Sequence, residues 1–342
     1  MKNQLIREVL NDSLFKKFDI VDWGCTTDPR PVTWEHFSAW VEKGHNGILK
    51  YLEGDRKEKR ESIKNYFPEF ESALVFQFSY ADQKFALDNF YNSSESNGLK
   101  VAGYVMGFDG VDYHHVLKER LDAIGKLIQA VDPEVEYKIS LDIHPVLERD
   151  LAYRAGLGFF GKNSMFISKS KGSFFLLGSL LLSKDYDFES KPIETDHCGS
   201  CTRCIDACPT VAIDPNTRTI ISDKCISTYT IELFKDLGEA PVGMENSDGE
   251  VFGCDICQDV CPWNKRLLRI NRDVDREESK SETYQSIMDF FLKRPIAKII
   301  EDLEALSNRK FQKLFFGTPL QRTGRVGLLK NIRFFSNKSK KS

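Results

Sequence analysis

The sequence predicts an α/β or α+β domain, followed by a cysteine-rich module and a short, basic helical segment. Helical and strand patterns alternate over residues 1–190. Eight of the nine cysteines lie between positions 198 and 261. From residue 284 the chain has a helical pattern. A chain of 342 residues is long enough for two or three domains, so we predict domains at 1–190, 191–266 and 284–342.

The elements of the first domain follow from its apolar runs. Residues 74–80 and 135–141 read as strands, and 113–130 reads as a long helix with one apolar face. A further helix is predicted from about Pro145 to Ala155, where Gly156 and Gly158 would end it. Residues 164–168 and 173–182 then read as a pair of strands joined by a turn at 169–172.

The cysteine-rich module carries two arrays with the spacing of iron–sulfur ligands. The first is Cys198-x2-Cys201-x2-Cys204-x3-Cys208-Pro209, and the second is Cys225 followed by Cys254-x2-Cys257-x3-Cys261-Pro262. In bacterial two-cluster ferredoxins the cysteine before the proline binds the other cluster. We therefore predict two [4Fe–4S] clusters, one held by Cys198, Cys201, Cys204 and Cys261, and the other by Cys208, Cys225, Cys254 and Cys257.

Other uses of these cysteines fit less well. Zinc takes four ligands in a tetrahedron and does not require the x2-x2-x3-Pro spacing. A disulfide framework is typical of short secreted chains, whereas this one is long and its amino terminus has no apolar signal segment. The remaining cysteine, Cys25, is predicted to be a buried or half-buried free thiol. Because the sequence predicts iron–sulfur clusters and contains no recognisable targeting signal, we expect the protein in the cytoplasm.

Composition describes an ordinary soluble protein with an uneven charge. Hydrophobic residues make up 41%, no apolar run is long enough to cross a bilayer, and the net charge is −3. Residues 307–342, however, contain ten Lys or Arg and no Asp or Glu. Four of these cations are interleaved with apolar residues as on an amphipathic helix with a basic face, which favours a polyanionic partner: Arg322, Arg325, Lys330 and Arg333.

Motifs for other cofactors are incomplete. No G-x-G-x-x-G follows a strand, so a nicotinamide or flavin site is not indicated. Asp142-Ile143-His144 begins like the D-x-H-x-x-G motif of corrinoid proteins that supply a histidine to cobalt, but Leu147 replaces the glycine. A corrin could still bind without a protein ligand beneath it.

Several segments together resemble the epoxyqueuosine reductases, the iron–sulfur and cobalamin enzymes that complete queuosine in transfer RNA. The resemblance is carried by the segment from Asp142 to Arg149 (DIHPVLER), by Ala155 to Ser164 (AGLGFFGKNS) and by Gly172 to Gly178, together with both cysteine arrays. Arg322 to Ile332 also matches in part. The cysteine arrays alone are shared with many ferredoxins, whereas their combination with the other segments is far more specific.

The resemblance implies a reaction and a set of site residues. The two clusters would reduce base-off cobalamin to its cobalt(I) state, and the epoxide of epoxyqueuosine would be reduced to the alkene of queuosine. Asp142 matches the proton donor of the family, a role that an apolar surround would favour; the other reading is a helix cap. Arg149 would lie near the substrate or its phosphates, or form a surface ion pair with Glu148 or Asp150. Gly161, Lys162 and Asn163 would line the corrin, unless they form a plain turn.

The expected partners are transfer RNA and an external low-potential electron donor, with no membrane. Two departures from the family concern the RNA. The segment before the long helix lacks an arginine that is common in the family, and the chain ends at Ser342, before the longer repeat region of many members. The alternatives are a dehalogenase-like cobalamin reductase of a small molecule, and a ferredoxin-type electron carrier.

Overall fold

The computed structural model describes residues 2–234, 238–270 and 280–338. Its strands are β1 (Ile20–Thr26), β2 (Ser72–Ser79), β3 (Lys100–Val101), β4 (Tyr137–Ser140), β5 (Phe159–Phe160), β6 (Phe166–Ile167), β7 (Phe175–Leu182), β8 (Ile213–Asp214), β9 (Thr219–Ile220) and β10 (Glu250–Phe252).

The α-helices are α1 (Lys2–Val9), α2 (Asp12–Lys17), α3 (Trp34–Glu42), α4 (Asp55–Lys59), α5 (Ala81–Tyr91), α6 (Tyr113–Val131), α7 (Glu148–Arg154), α8 (Arg203–Asp206), α9 (Ile256–Asp259), α10 (Pro262–Ile270), α11 (Glu282–Ile287), α12 (Ile296–Ala305), α13 (Asn308–Leu314) and α14 (Gly324–Lys338). Short 3₁₀ turns lie at Lys50–Leu52, Ile63–Asn65, Gly103–Met106, Ser222–Lys224, Met244–Asn246 and Pro319–Gln321, and single π turns at Thr228–Glu232 and Met288–Leu292.

The chain divides into two compact units, and their bounds differ from the predicted domains. The first unit comprises Met1–Ser79 and His114–Cys201, and the second comprises Tyr80–Tyr113 and Thr202–Ser342. The segment from 80 to 113 therefore groups with the cysteine module and the carboxy-terminal helices, not with the rest of the predicted first domain. Its β3 pairs in parallel with β10, and Leu87, Leu99 and Val101 share a core with residues from the carboxy-terminal helices.

A four-stranded antiparallel sheet in the order β1-β2-β7-β4 forms the centre of the first unit. The antiparallel pairing makes the fold α+β. The middle of β2 is fully buried, and Leu74 and Phe76 lie opposite Leu180 and Gly178 of β7. The predicted pairing of 164–168 with 173–182 is wrong beyond a single bridge between Ser168 and Gly172: β6 pairs with β5, while β7 pairs with β2 and β4.

The two predicted helices of the first unit are present. On α6 most of the predicted apolar face is buried, with Leu117, Leu121, Ile124 and Ile128 at 0% exposure, whereas Leu127, predicted on the same face, is 42% exposed. Gly125 allows close packing, because a Cβ there would lie 2.5 Å from the ring of Tyr137. The second helix, α7, begins at Glu148 instead of Pro145.

The second compact unit, which contains the carboxy-terminal helices, has a core of its own. Buried aromatic and aliphatic residues from α11 to α14 meet β3 and β10, among them Phe252, Phe291, Phe311, Phe315 and Ile332. The helical character predicted from residue 284 onwards is therefore confirmed. The sequence also predicts a surface linker in the charge-rich segment 265–283. This segment is in part helical, because α10 extends to Ile270, and in part lies outside the described residues. Of the helices described, none combines the length and apolar character that a membrane span requires.

Candidate active site and cysteine module

The segment that resembles the catalytic motif forms the loop between β4 and α7. The loop runs from Leu141 to Leu147, and we call it the Asp142 loop. Its turn is closed by the backbone: the amide of His144 donates to the carbonyl of Leu141 at 2.9 Å. Asp142 is not the cap residue of α7, because Leu147 precedes that helix and forms no side-chain capping hydrogen bond. The helix-cap reading of Asp142 is therefore wrong.

Asp142 is hydrogen-bonded to a histidine that sequence analysis left without a role. His114 Nε2, in the first turn of α6, lies 2.9 Å from Asp142 Oδ1. The Asp142 side chain is 52% exposed, so the described residues do not provide the apolar surround that would favour its neutral form. The pair can share a proton, because the imidazole nitrogen accepts from a neutral carboxyl group or donates to a charged one. The only sequence signal was a histidine at the start of a long helix.

Glu148 is the second carboxyl group at this site, and one of its oxygens lacks a hydrogen bond. Its Oε1 is buried and has no partner among the described residues. Burial, reinforced by the negative charge of Asp142, raises the pKa of Glu148 to about 8, against the opposing effects of Arg149 and Arg60. Glu148 is therefore largely neutral at pH 7. From the sequence, Glu148 was expected only as the surface partner of Arg149.

Arg149 is directed to the turn at Ser164. Its guanidinium donates to the Ser164 hydroxyl oxygen at 3.2 Å and to the Ser164 carbonyl oxygen. Ser164 has a φ of 64°, in the left-handed region, which non-glycine residues adopt at a cost. The guanidinium thus stabilises an unfavourable turn. The predicted surface pair with Asp150 is wrong, because Asp150 is buried and bonded elsewhere.

A buried ion pair anchors α7 beneath the Asp142 loop. Asp150 is 1% exposed and pairs with Arg154 on the same helix. Its other oxygen accepts hydrogen bonds from the backbone amide and the hydroxyl of Thr33, both at 2.8 Å. Because a buried pair is held rigid by such extra bonds, the start of α7 and the residues just before it have a fixed position.

The residues predicted to line the corrin form a tight turn beside β5. A Cβ at Gly161 would lie 2.6 Å from Asn163 Oδ1, so glycine lets the Asn163 side chain pack against the backbone there. Asn163 is buried, and its Oδ1 accepts from the amide of Met165 at 3.2 Å. The Lys162 ammonium donates to the carbonyl oxygens of Gly199 and Cys201 at 2.7 and 3.0 Å. These contacts describe a turn that supports the first cysteine loop, and their corrin role stays a prediction.

The histidine of the Asp142 loop is occupied within its own turn. His144 Nδ1 accepts a hydrogen bond from the amide of Leu141 at 2.9 Å, and its ring lies 5.6 Å from that of Tyr66. Burial, followed by the nearby charges of Lys138 and Arg56, lowers the pKa of His144, although Asp142 and the Leu141 carbonyl oppose this. His144 therefore stabilises the fold of the Asp142 loop through its Nδ1 atom.

The second predicted set of cysteines lies together in the carboxy-terminal unit. The cysteines are all free thiols in this structure. Burial raises the pKa of Cys257 well above the usual value, and the proximity of Cys225 and Cys208 raises it further. Cys254 behaves in the same way beside Cys257. Four thiols brought close together fit a cluster whose irons would compensate their negative charge.

The backbone donates a hydrogen bond to one of these sulfurs, that of Cys208. The amide of Ala212 donates to Cys208 Sγ at 3.4 Å, and hydrogen bonds of this kind tune cluster potentials. Within the described residues, no three His, Cys, Asp or Glu side chains converge as ligands of a single metal ion. A [4Fe–4S] cluster distributes its four thiolates over four irons. Cys25 is 5% exposed, which confirms the predicted buried thiol.

The cluster-binding segment is supported by a buried lysine that sequence analysis did not identify. Lys84 of α5 is 2% exposed. Its ammonium lies 2.7 Å from Asp259 Oδ1 and 3.9 Å from Asp255 Oδ2, and it also pairs with Asp88. Asp255 and Asp259 flank Cys257, so this ion cluster fixes α9 and its cysteine.

The predicted basic face of the carboxy-terminal helix is not free. Lys330 is 9% exposed and donates to the carbonyl oxygens of Tyr229 and Leu233, both at 3.1 Å. Arg322 pairs with Glu232 at 2.8 Å, Arg333 pairs with Glu304 at 2.6 Å, and Arg325 donates to the carbonyl oxygen of Leu303 at 2.8 Å. The prediction of an exposed cationic face is therefore wrong for Lys330, and the three arginines are engaged within the protein.

Comparisons with known proteins agree on one family. The family described as 4Fe-4S double cluster binding domain matches residues 197–264, a range that includes both cysteine arrays. The family described as epoxyqueuosine reductase QueG, DUF1730, matches residues 60–142.

Relatives and solved structures match nearly the whole chain. An epoxyqueuosine reductase of Cyclobacterium marinum is 36% identical over 303 residues, which cover 88% of this chain and 87% of the relative. The structure of epoxyqueuosine reductase from Streptococcus thermophilus is 25% identical, with a TM-score of 0.77, over 99% of this chain and 82% of that chain. Another, solved with an epoxyqueuosine-modified tRNA-Tyr stem loop, is 25% identical, with a TM-score of 0.72, over 97% of this chain and 80% of that chain. This chain belongs to the epoxyqueuosine reductase family of oxidoreductases.

Proposed function

We propose that this protein reduces epoxyqueuosine to queuosine in the anticodon loop of transfer RNA, the final step of queuosine biosynthesis. Electrons from an external low-potential donor would pass through two [4Fe–4S] clusters to cobalamin. Family membership supports the substrate, and the eight cysteines support the clusters. The observation that carries the proposal is the hydrogen bond between Asp142 and His114, because it provides the proton donor that the reaction requires.

The chemistry sets what the protein must supply. Conversion of an epoxide to an alkene consumes two electrons and two protons and releases the oxygen as water. When bound, cobalamin supplies a strongly reducing low-valent cobalt. The residues predicted to hold it are Gly161, Lys162 and Asn163.

The protons come from the protein's own side chains. In its neutral form Asp142 delivers a proton to the departing oxygen. His114, at 2.9 Å, then returns a proton to Asp142 or holds its carboxylate in position. His114 thus acts through Asp142 as a positioning residue. Arg149 would contribute indirectly by holding the turn at Ser164, where its guanidinium is bonded.

The first predicted cluster set stays part of the proposal. Cys198, Cys201, Cys204 and Cys261 would hold one cluster. Cys208, Cys225, Cys254 and Cys257 would hold the other cluster. Protein prepared without oxygen should contain about eight irons if both sets are filled. It should also bind cobalamin in the base-off form, which is visible in the absorption spectrum.

Nucleoside analysis of transfer RNA tests the substrate directly. A strain that lacks this gene should accumulate epoxyqueuosine and contain no queuosine, and the intact gene should restore queuosine. A gene for the Asp142→Asn variant should fail to restore it. Normal queuosine in the deletion strain would overturn the proposal and return attention to small-molecule reduction.

A further inference from the structure

A cationic recess beside the Asp142 loop has no role in the mechanism above. The recess has a volume of about 450 Å³ and is lined by Arg56, Lys59, Asn65, Tyr66, Lys138 and Pro145. All six belong to the first compact unit. Three of the six are cations and none is acidic. The recess is large enough for a phosphate group with its ribose.

The positive charge of the recess is not neutralised by the protein. No carboxylate among the described residues forms an ion pair with Arg56, Lys59 or Lys138, whereas most other cations of this unit for which contacts are described have an acidic partner. Instead, two of the three are held by neutral groups. Lys138 Nζ donates to the carbonyl oxygen of Tyr66 at 2.9 Å and lies 4.1 Å from the centre of that ring. Arg56 donates to the carbonyl oxygen of Ile143 at 2.7 Å.

The positive charge of the recess affects the ionisation of His144 beside it. Next to burial, the charges of Lys138 and Arg56 help to lower the pKa of His144, which lies in the Asp142 loop. Burial lowers the pKa of Arg60, and the positive charge of Arg56 lowers it further. Cations that repel their neighbours in this way are stabilised by an anion bound between them.

The recess is joined to the Asp142 loop by direct contacts. Pro145 of the loop forms part of its wall, and Arg56 bonds to Ile143, the residue after Asp142. An anion held by Arg56 would therefore restrain the loop that carries the proposed proton donor. Arginine and lysine are the usual phosphate ligands of nucleic-acid-binding proteins.

We infer that this recess binds the phosphodiester backbone of the substrate RNA and thereby positions the anticodon loop beside Asp142. The inference rests on the proposed function. Cobalamin also carries a phosphodiester, in its nucleotide tail. Three cations, with Arg56 and Lys59 exposed to solvent, match the consecutive phosphates of an RNA strand better than a single phosphate.

The test measures binding of an anticodon stem–loop RNA that lacks epoxyqueuosine, so it does not depend on the reaction. The variants are Lys59→Gln, whose side chain has no described hydrogen bond or ion pair, Lys138→Gln and Arg56→Gln. Lys16→Gln, an exposed lysine of α2 outside the recess, is the control. Each recess variant should weaken RNA binding about tenfold. The slope of log Kd against log salt concentration should fall by about one per variant.

Cobalamin titrations and thermal denaturation of the same variants separate the outcomes. Weaker RNA binding with unchanged cobalamin affinity and unchanged Tm supports the inference. Unchanged RNA affinity in all three recess variants overturns it, and so does a loss of cobalamin affinity with normal RNA binding, which would assign the recess to the cofactor tail. If the unaltered protein does not bind the RNA at all, the proposed function itself fails.

Discussion

Replacement of Lys84 by Met should destabilise the unit that carries the second cysteine set. The Lys84 ammonium is buried and paired with Asp88, Asp255 and Asp259. Burial alone would lower the pKa of Lys84, but the attraction of these carboxylates outweighs it and raises the pKa. Methionine preserves the length and apolar stem of lysine and removes only the charge.

The expected loss of stability follows from the buried carboxylates that remain when the Lys84 charge is removed. Removing one partner of a buried ion pair costs about 3–5 kcal/mol, because the other charge is left without compensation. Asp255 is 8% exposed and, among the described residues, keeps its bonds from the amide of Gly103 at 2.6 Å and from Gln258. For a unit of this size we expect Tm to fall by about 6–20 °C. Because Asp255 adjoins Cys254, iron content should fall as well.

Thermal denaturation without oxygen, together with iron analysis, measures both effects. The matched control is Lys298→Met in the same unit, because that lysine is 52% exposed and pairs with Glu301 at 3.0 Å. Loss of an exposed pair should cost less than about 1 kcal/mol. A Lys84→Met protein with Tm within about 2 °C of the unaltered protein, and with full iron content, would refute the reasoning.

Four further predictions concern the site residues. Asp142→Asn should retain iron and cobalamin binding and lose turnover; undiminished turnover would exclude Asp142 as the proton donor. His114→Gln should lower kcat about tenfold or more and change its pH profile, with little effect on the KM for RNA; an unchanged profile would leave the histidine a structural role only. Because the folded pKa of Glu148 is raised to about 8, its neutral form contributes stability below about pH 4.5 that is lost as the pH rises through 8, by at most ~5 kcal/mol. Glu148→Gln should remove this pH dependence of the unfolding free energy. An equal change of unfolding free energy with pH in the variant and in the unaltered protein would contradict the assignment. Cys254→Ser should reduce iron from about eight to about four per chain, whereas Cys25→Ala should leave it unchanged; equal iron in both would reject the ligand assignment.

The sequence identified elements better than it identified their partners. The apolar run that forms β7 was correctly predicted as a buried strand. Its neighbours were not, because alternation of apolar residues specifies a buried face but not which strand lies beside it. The adjacent residues 164–168 were the obvious local partner, yet β2 and β4 take both edges of β7.

Charges show the same limit. The basic residues near the carboxy terminus were counted correctly, but their acidic partners Glu232 and Glu304 lie in other parts of the chain and gave no local signal. The sequence indicated no role for Lys84, because Asp255 and Asp259 are distant from it in sequence. For the same reason His114 was not connected with Asp142. The motif segments, by contrast, led directly to the family and to the Asp142 loop.

Conversion of the modified nucleoside by purified protein tests the central claim most directly. The protein, prepared without oxygen and supplied with cobalamin and a chemical reductant, would be incubated with a stem–loop RNA that contains epoxyqueuosine. Mass spectrometry of the nucleosides should show loss of one oxygen atom and the appearance of queuosine, only when cobalamin is present. Unchanged epoxyqueuosine, despite bound cobalamin and spectroscopically reduced clusters, would contradict the account.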